Sequence, residues 1–169
     1  MKTLEEQMSF YLRSHRDPRN KLAHCIGVPL ILFSVLVLLG LVRMQLAEVS
    51  VTAASLAVVA LLAYYFLLDA VLGVAMTLFL SVLLIAANRV CALGPAAALS
   101  VFAVTFVVGW MLQLIGHLFE ARKPALLDNL FQVLGAPIFL MAEIFFAFGY
   151  KHDVAERVEL LALRAGPPR

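Results

Sequence analysis

VSVTAASLAVVALLAYYFLLDAVLGVAMTLFLSVLLIAA, residues 49–87, carries a single formal charge, at Asp69, and is otherwise apolar or small apart from Tyr64 and Tyr65. Helix is the form lipid demands of such a run, because backbone polar groups cannot go unpaired in hydrocarbon. As one helix it would measure about 58 Å at 1.5 Å per residue, about twice the thickness of a bilayer core. It therefore has to fold back on itself. The break is expected at residues 69–73, with Asp69 capping the incoming helix. Tyr64 and Tyr65 suit the aromatic belt of a membrane surface.

Other apolar runs flank this hairpin. They cover residues 22–42, ended by Arg43, then 96–115, then 130–150, which contains Gln132, Pro137 and Glu143. The chain has 169 residues, 63% hydrophobic and 14% charged, where a soluble domain is about 45–50% apolar and about 25% charged. Its mean hydropathy is +0.97. The class expected is an all-α integral membrane helical bundle in one membrane domain. Residues 1–21 form an amphipathic N-terminal helix, and four transmembrane helices follow within 22–150. A fifth helix is membrane-spanning or re-entrant, and residues 151–169 make a polar tail. Membrane lipid is the expected surrounding. A net charge of +2, with no basic run interleaved with aromatics, argues against nucleic acid as a partner. No cleavable signal peptide is expected. Cys25 and Cys91 fall at opposite ends of the membrane on this topology and read as two free thiols.

Charge asymmetry sets the orientation. Lys2, Arg13, Arg16, Arg19 and Lys21 precede the first span, and Arg122 and Lys123 follow the fourth, whereas Arg43 and Arg89 stand alone in their loops. A cytoplasmic N-terminus satisfies all of these. The tail residues Lys151, Arg157, Arg164 and Arg169 fit only if they are exempt, or if the last segment is re-entrant and bends at Pro137.

This topology gathers histidines. His15 in the N-terminal helix, His24 at the start of the first span and His117 at the end of the fourth all fall at the cytoplasmic face. Each has a polar neighbour at helical spacing: Tyr11 four residues before His15, Asn20 four before His24, and Gln113 and Glu120 flanking His117. Metal-bound histidines need such neighbours to fix their tautomer, and ionisable groups at membrane depth point to function. A lone interfacial histidine is more often just a polar residue, and spacing alone leaves both readings open. Asp69 reads as a turn cap and His152 as solvated. Glu143, a carboxylate in an apolar run, needs a partner, for which Arg122 or the metal shell are candidates.

There is no Gly-rich phosphate loop, HExxH pair or GxSxG elbow. A b-type haem needs only two facing histidines. A second class of reading is therefore a non-enzymatic haem- or metal-binding membrane protein, or a small carrier. A carrier would hold polar groups near the bilayer midplane, where these spans have almost none.

The same residues carry a family resemblance. The segments Tyr11-x3-His15 … Asn20-x3-His24-x2-Gly27-x-Pro29, Gln113-x2-Gly116-His117-x2-Glu120-x3-Pro124-Ala125-Leu126-x-Asp128-Asn129 and Ala136-Pro137-x-Phe139-x3-Glu143 are similar to signature blocks of one family. It is that of the yeast endoplasmic-reticulum 2-hydroxy fatty acid dioxygenase of phytosphingosine breakdown, with its bacterial and plant relatives. The main departure is Arg16-Asp17-Pro18-Arg19, where relatives often carry further polar or histidine residues. The resemblance implies an Fe(II)-dependent dioxygenase. It would use O2 to shorten a long-chain 2-hydroxy fatty acid by one carbon, with release of CO2. It further implies His15, His24 and His117 as iron ligands. Glu120 and Gln113 would orient a histidine or the bound acid, Arg122 or Lys123 would attract its carboxylate, and Tyr11, Asn20, Asn129 and Glu143 would complete the surroundings. The membrane would be the endoplasmic reticulum in a eukaryote or the inner membrane in a bacterium.

Overall fold

A computed structural model describes residues 3–46, 48–120 and 131–165. Among these residues the chain forms α1 (Leu4–Ser14), α2 (Pro18–Gly40), β1 (Arg43–Leu46), β2 (Val49–Thr52), α3 (Ala53–Leu68), α4 (Ala70–Ala92), α5 (Pro95–Glu120), α6 (Phe131–Ala147) and α7 (His152–Arg164). They divide into two compact units, one of residues 1–25 and 113–169, the other of residues 26–112.

In the second unit, α3 and α4 form the expected helical hairpin. Its break is the single residue Asp69. The Asp69 N–H donates to Tyr65 O at 2.9 Å, closing α3, and its carboxylate accepts from the Leu72 N–H at 2.9 Å, opening α4. One residue thus serves both helix ends, its N–H closing α3 and its side chain satisfying an orphan N–H of α4. Leu72, Met76 and Leu80 recur every fourth residue along α4 and are fully buried with Tyr65. Tyr65 is therefore core, not belt. The outer faces are different: Leu67 is 74% exposed, and Leu78, Val82 and Val104 are nearly as bare. Faces of that kind on helices as long and apolar as α2, α4 and α5 are covered by lipid, and the protein is an integral membrane protein.

The run at 49–87 does not begin as helix. Residues 49–52 pair antiparallel with residues 43–46, from Arg43 opposite Thr52 to Leu46 opposite Val49. The β-branched run Val49-Ser50-Val51-Thr52 has strand propensity that hydropathy cannot register. Thr52 then opens α3 with a capping box, exchanging hydrogen bonds with Ser55 at 3.1 and 3.2 Å.

In the first unit, Thr3 and Glu6 form the capping box of α1. The expected single helix over 1–21 is interrupted. Proline disfavours helical backbone at Asp17 before it yet suits the first position of a new helix, so α2 starts at Pro18, four residues earlier than the apolar run. α6 runs straight through Pro137. It stops instead in a Schellman motif, with Tyr150 N–H on Phe145 O at 2.9 Å and Gly149 N–H on Phe146 O at 3.0 Å. Gly149 takes the left-handed conformation, φ 81°, and the Phe145 and Tyr150 rings close the motif. α7 leaves at 118° to α6. The stretch expected as a polar tail thus carries a helix, which packs against α1 through Val158 and Ala162.

Candidate metal centre

The chemistry of the site starts at two helix ends. His15 is the residue at which α1 stops, and its N–H turns back to Leu12 O. The Tyr11 carbonyl, left without that N–H, accepts the His15 Nδ1–H at 2.9 Å instead. One turn into α2, His24 Nδ1 donates to Asn20 O at 3.0 Å. A carbonyl can only accept, so both rings carry their proton on Nδ1 and turn a bare Nε2 lone pair the other way. Those two Nε2 atoms face each other at 3.1 Å. The i−4 spacing read from the sequence is correct, but the partners are main-chain carbonyls, not the Tyr11 and Asn20 side chains.

His117 comes from the last turn of α5. Its ring centroid lies 5.2 Å from that of His15 and 5.1 Å from that of His24, at steep angles to both. One nitrogen from each of the three falls within 4.8 Å of the others, and all three residues are buried. His117 Nδ1 has no hydrogen-bond partner among the described residues. The Tyr11 ring stacks on His15 at 3.9 Å. Burial first, and the neighbouring His24 second, bring the His15 pKa down from 6.5 to about 3, so the ring stays neutral.

Two lone pairs pointed at each other across 3.1 Å repel unless a cation lies between them. Imidazole nitrogens bound to one ion at about 2.1 Å would be about 3.0 Å apart at a right angle and about 3.4 Å at a tetrahedral one. The donor set therefore fits a single divalent transition metal, and neutral imidazoles suit iron, zinc, copper or nickel alike. It does not fit a haem held between His15 and His24, whose axial nitrogens would stand about 4 Å apart, twice a metal–nitrogen distance.

Glu120 ends α5, and its carboxylate accepts from the N–H groups of Arg16 and Asp17, the latter at 2.7 Å, and from Asn20 Nδ2 at 3.3 Å. It ties the link carrying His15 to the helix carrying His117. These contacts use backbone, which is why the departure at Arg16-Asp17-Pro18-Arg19 leaves the site intact. Gly116 makes the approach possible: a Cβ there would sit 2.5 Å from Asn20 Oδ1 and 3.0 Å from Ala23 Cβ. Gln113 is buried, and its amide nitrogen has no partner among the described residues.

Among the described residues Glu143 does have a partner, and it is not one of the histidines. Its carboxylate lies 2.6 Å from the Lys21 ammonium. The sequence reading gives Lys21 only to the basic cluster; its signal is the three-residue spacing to His24, which puts both on one face of α2. Arg122, Lys123 and Asn129 lie outside the described residues. His152 is exposed at the start of α7. Cys25 and Cys91 are both free thiols.

Fold and site together define a helical membrane protein with a buried tris-histidine cluster of metal-binding geometry. The chain belongs to the family described as "2-hydroxy-palmitic acid dioxygenase Mpo1-like", which it matches over residues 1–148. It is 36% identical over 151 residues to the 2-hydroxy-palmitic acid dioxygenase MPO1 of Saccharomyces cerevisiae, covering 87% of this chain and 82% of the yeast protein. No solved structure matches it.

Proposed function

We propose that this protein is an Fe(II)-dependent dioxygenase that shortens long-chain 2-hydroxy fatty acids by one carbon. The observation that carries the reading is the buried triad His15, His24 and His117, with its nitrogens within 4.8 Å at the ends of apolar helices. The name of the yeast relative supports the substrate class.

In this reading the three histidines hold the iron, which when bound supplies a site where dioxygen and the hydroxy acid meet. The stoichiometry needs no other reductant. A 2-hydroxy acid and O2 give the acid one carbon shorter, CO2 and water; the C1–C2 bond breaks, and those two carbons supply every electron that O2 takes up. Glu120 keeps His15 in position through the backbone at Arg16 and Asp17. Gln113 offers the bound acid its buried amide N–H, which has no partner among the described residues. Arg122 or Lys123 draws the carboxylate in, beside Asn129 of the same motif. A long-chain acid enters from the leaflet with its head at the interface and its tail among the helices. By the positive-inside rule the site faces the cytoplasm, from the endoplasmic reticulum in a eukaryote or the inner membrane in a bacterium.

The test is a product assay. Metal-free protein in detergent is given Fe(II), air and 2-hydroxypalmitic acid, with His117→Ala alongside, and the acids are weighed by mass spectrometry. The expected product is the acid one carbon shorter, dependent on iron and absent with His117→Ala. Protein that binds iron yet makes no such acid would end the assignment.

A further inference from the structure

We propose that Lys21 is the residue that binds the substrate carboxylate, and that Glu143 is its resident counter-ion, displaced when a fatty acid arrives. The inference rests on the proposed substrate class and adds to it the subsite where the headgroup is recognised.

The geometry begins with the pair itself, Lys21 Nζ to Glu143 Oε1 at 2.6 Å, with the lysine side chain 34% exposed and the glutamate 17%. Lys21 stands three residues before His24 on the same face of α2. Glu143 stands four residues after Phe139 on α6, and the Phe139 ring lies 5.5 Å from Tyr11, the ring stacked on His15. An ammonium and a carboxylate therefore sit together at the edge of the histidine cluster, the ammonium being the more open of the two.

That arrangement suits a lipid acid. A carboxylate has two oxygens, so one can serve the histidine centre while the other meets the ammonium, which has three N–H donors to share. Lys21 lies one turn nearer the start of α2 than His24, and the apolar length of α2 runs on past His24. The headgroup thus meets Lys21 and the chain follows the membrane. Displacing Glu143 exchanges one carboxylate for another at the ammonium, and the cost falls on the released Glu143 carboxylate, which is 17% exposed to water.

The competing account is a tether, in which the pair only pins α6 to α2. The two accounts predict opposite signs for Glu143. Radiolabelled 2-hydroxypalmitate and its uncharged methyl ester are bound to the full-length protein in detergent, with iron content recorded for every variant. Lys21→Met should weaken acid binding about tenfold, the scale of one charged hydrogen bond, and leave the ester unchanged. Glu143→Gln should tighten acid binding severalfold, because the competitor is gone. Lys21→Arg should retain most of the affinity. If Lys21→Met misfolds around a stranded Glu143, the double variant Lys21→Met/Glu143→Gln carries no stranded charge and should show the same tenfold loss. Equal weakening of acid and ester by both single variants would establish the tether and overturn the proposal, as would acid binding indifferent to Lys21. The readout is binding, so charge-dependent capture of the acid without any shortened product would sink the dioxygenase reading and leave the subsite standing.

Discussion

Glu120 shows how much of this site is held by groups that never face the metal position. Its carboxylate collects the N–H groups of Arg16 and Asp17 and the Asn20 amide, all next to His15 or one turn before His24. Hydrogen bonds to a charged acceptor are worth about 1.5–3 kcal/mol each, and loss of an outer partner of a metal ligand typically costs about 10–100-fold in affinity. Glu120→Ala should therefore lower iron affinity by about that factor, whereas Glu120→Gln, which keeps one acceptor oxygen, should lose less. Metal titration of the purified variants measures both. Loss of turnover at full iron affinity would instead make Glu120 a group that acts on substrate. His15→Ala and His24→Ala differ from these in kind: each removes one of the facing Nε2 atoms, and iron should be lost outright in a metal-content assay.

At the scale of elements, the close approach of α2 and α5 at Gly116 decides whether the histidines meet. A methyl group at Gly116 would overlap Asn20 Oδ1 and crowd Ala23 Cβ, and overpacking of this kind costs about 1–3 kcal/mol. Gly116→Ala should lower the melting temperature in detergent by several degrees and reduce iron retention as well. A variant that loses neither would mean that the helices separate freely there. The bend after α6 gives a smaller, independent expectation: Gly149→Ala, forced to hold φ 81°, should cost about 1–2 kcal/mol in thermal stability without altering iron content once folded.

These elements also show what the sequence discloses. The Asp69 break was legible because a helix twice too long for the membrane must turn, and a capping residue stood at the turn. The histidine triad was legible because topology brings helix ends to one face whatever lies between them. The hairpin at residues 43–52 was not, since apolar β-branched residues read the same in a strand as in a span. Nor was the bend after α6: Pro137 drew attention, yet the turn is made by Gly149 through backbone bonds that no hydrophobic pattern encodes. The partner of Glu143 was missed because a lysine in a basic cluster looks like every other.

For the whole molecule, the triad fixes the parity of the membrane crossings. His15 and His24 stand at the start of α2 and His117 at the end of α5, and all three meet in one cluster. The start of α2 and the end of α5 therefore share a side, and an even number of crossings separates them. Three of the helices from α2 to α5 are long enough to cross by length and composition, α2, α4 and α5, and three is odd. α3 must then cross too, although at 16 residues it spans only about 24 Å, and a helix that short is accommodated by local thinning of the bilayer. Beyond α5, α7 packs against α1 and Arg157 lies 3.9 Å from Glu5, which brings the C-terminal helix to the side of the N-terminal one. The basic residues of the tail then need no exemption from the positive-inside rule. The same compartment-sensing reporter fused to either terminus should accordingly give the same answer, while a cysteine introduced at Glu48, between β1 and β2, should be labelled only from the opposite side. Reporters in opposite compartments would overturn the docking of α7 on α1.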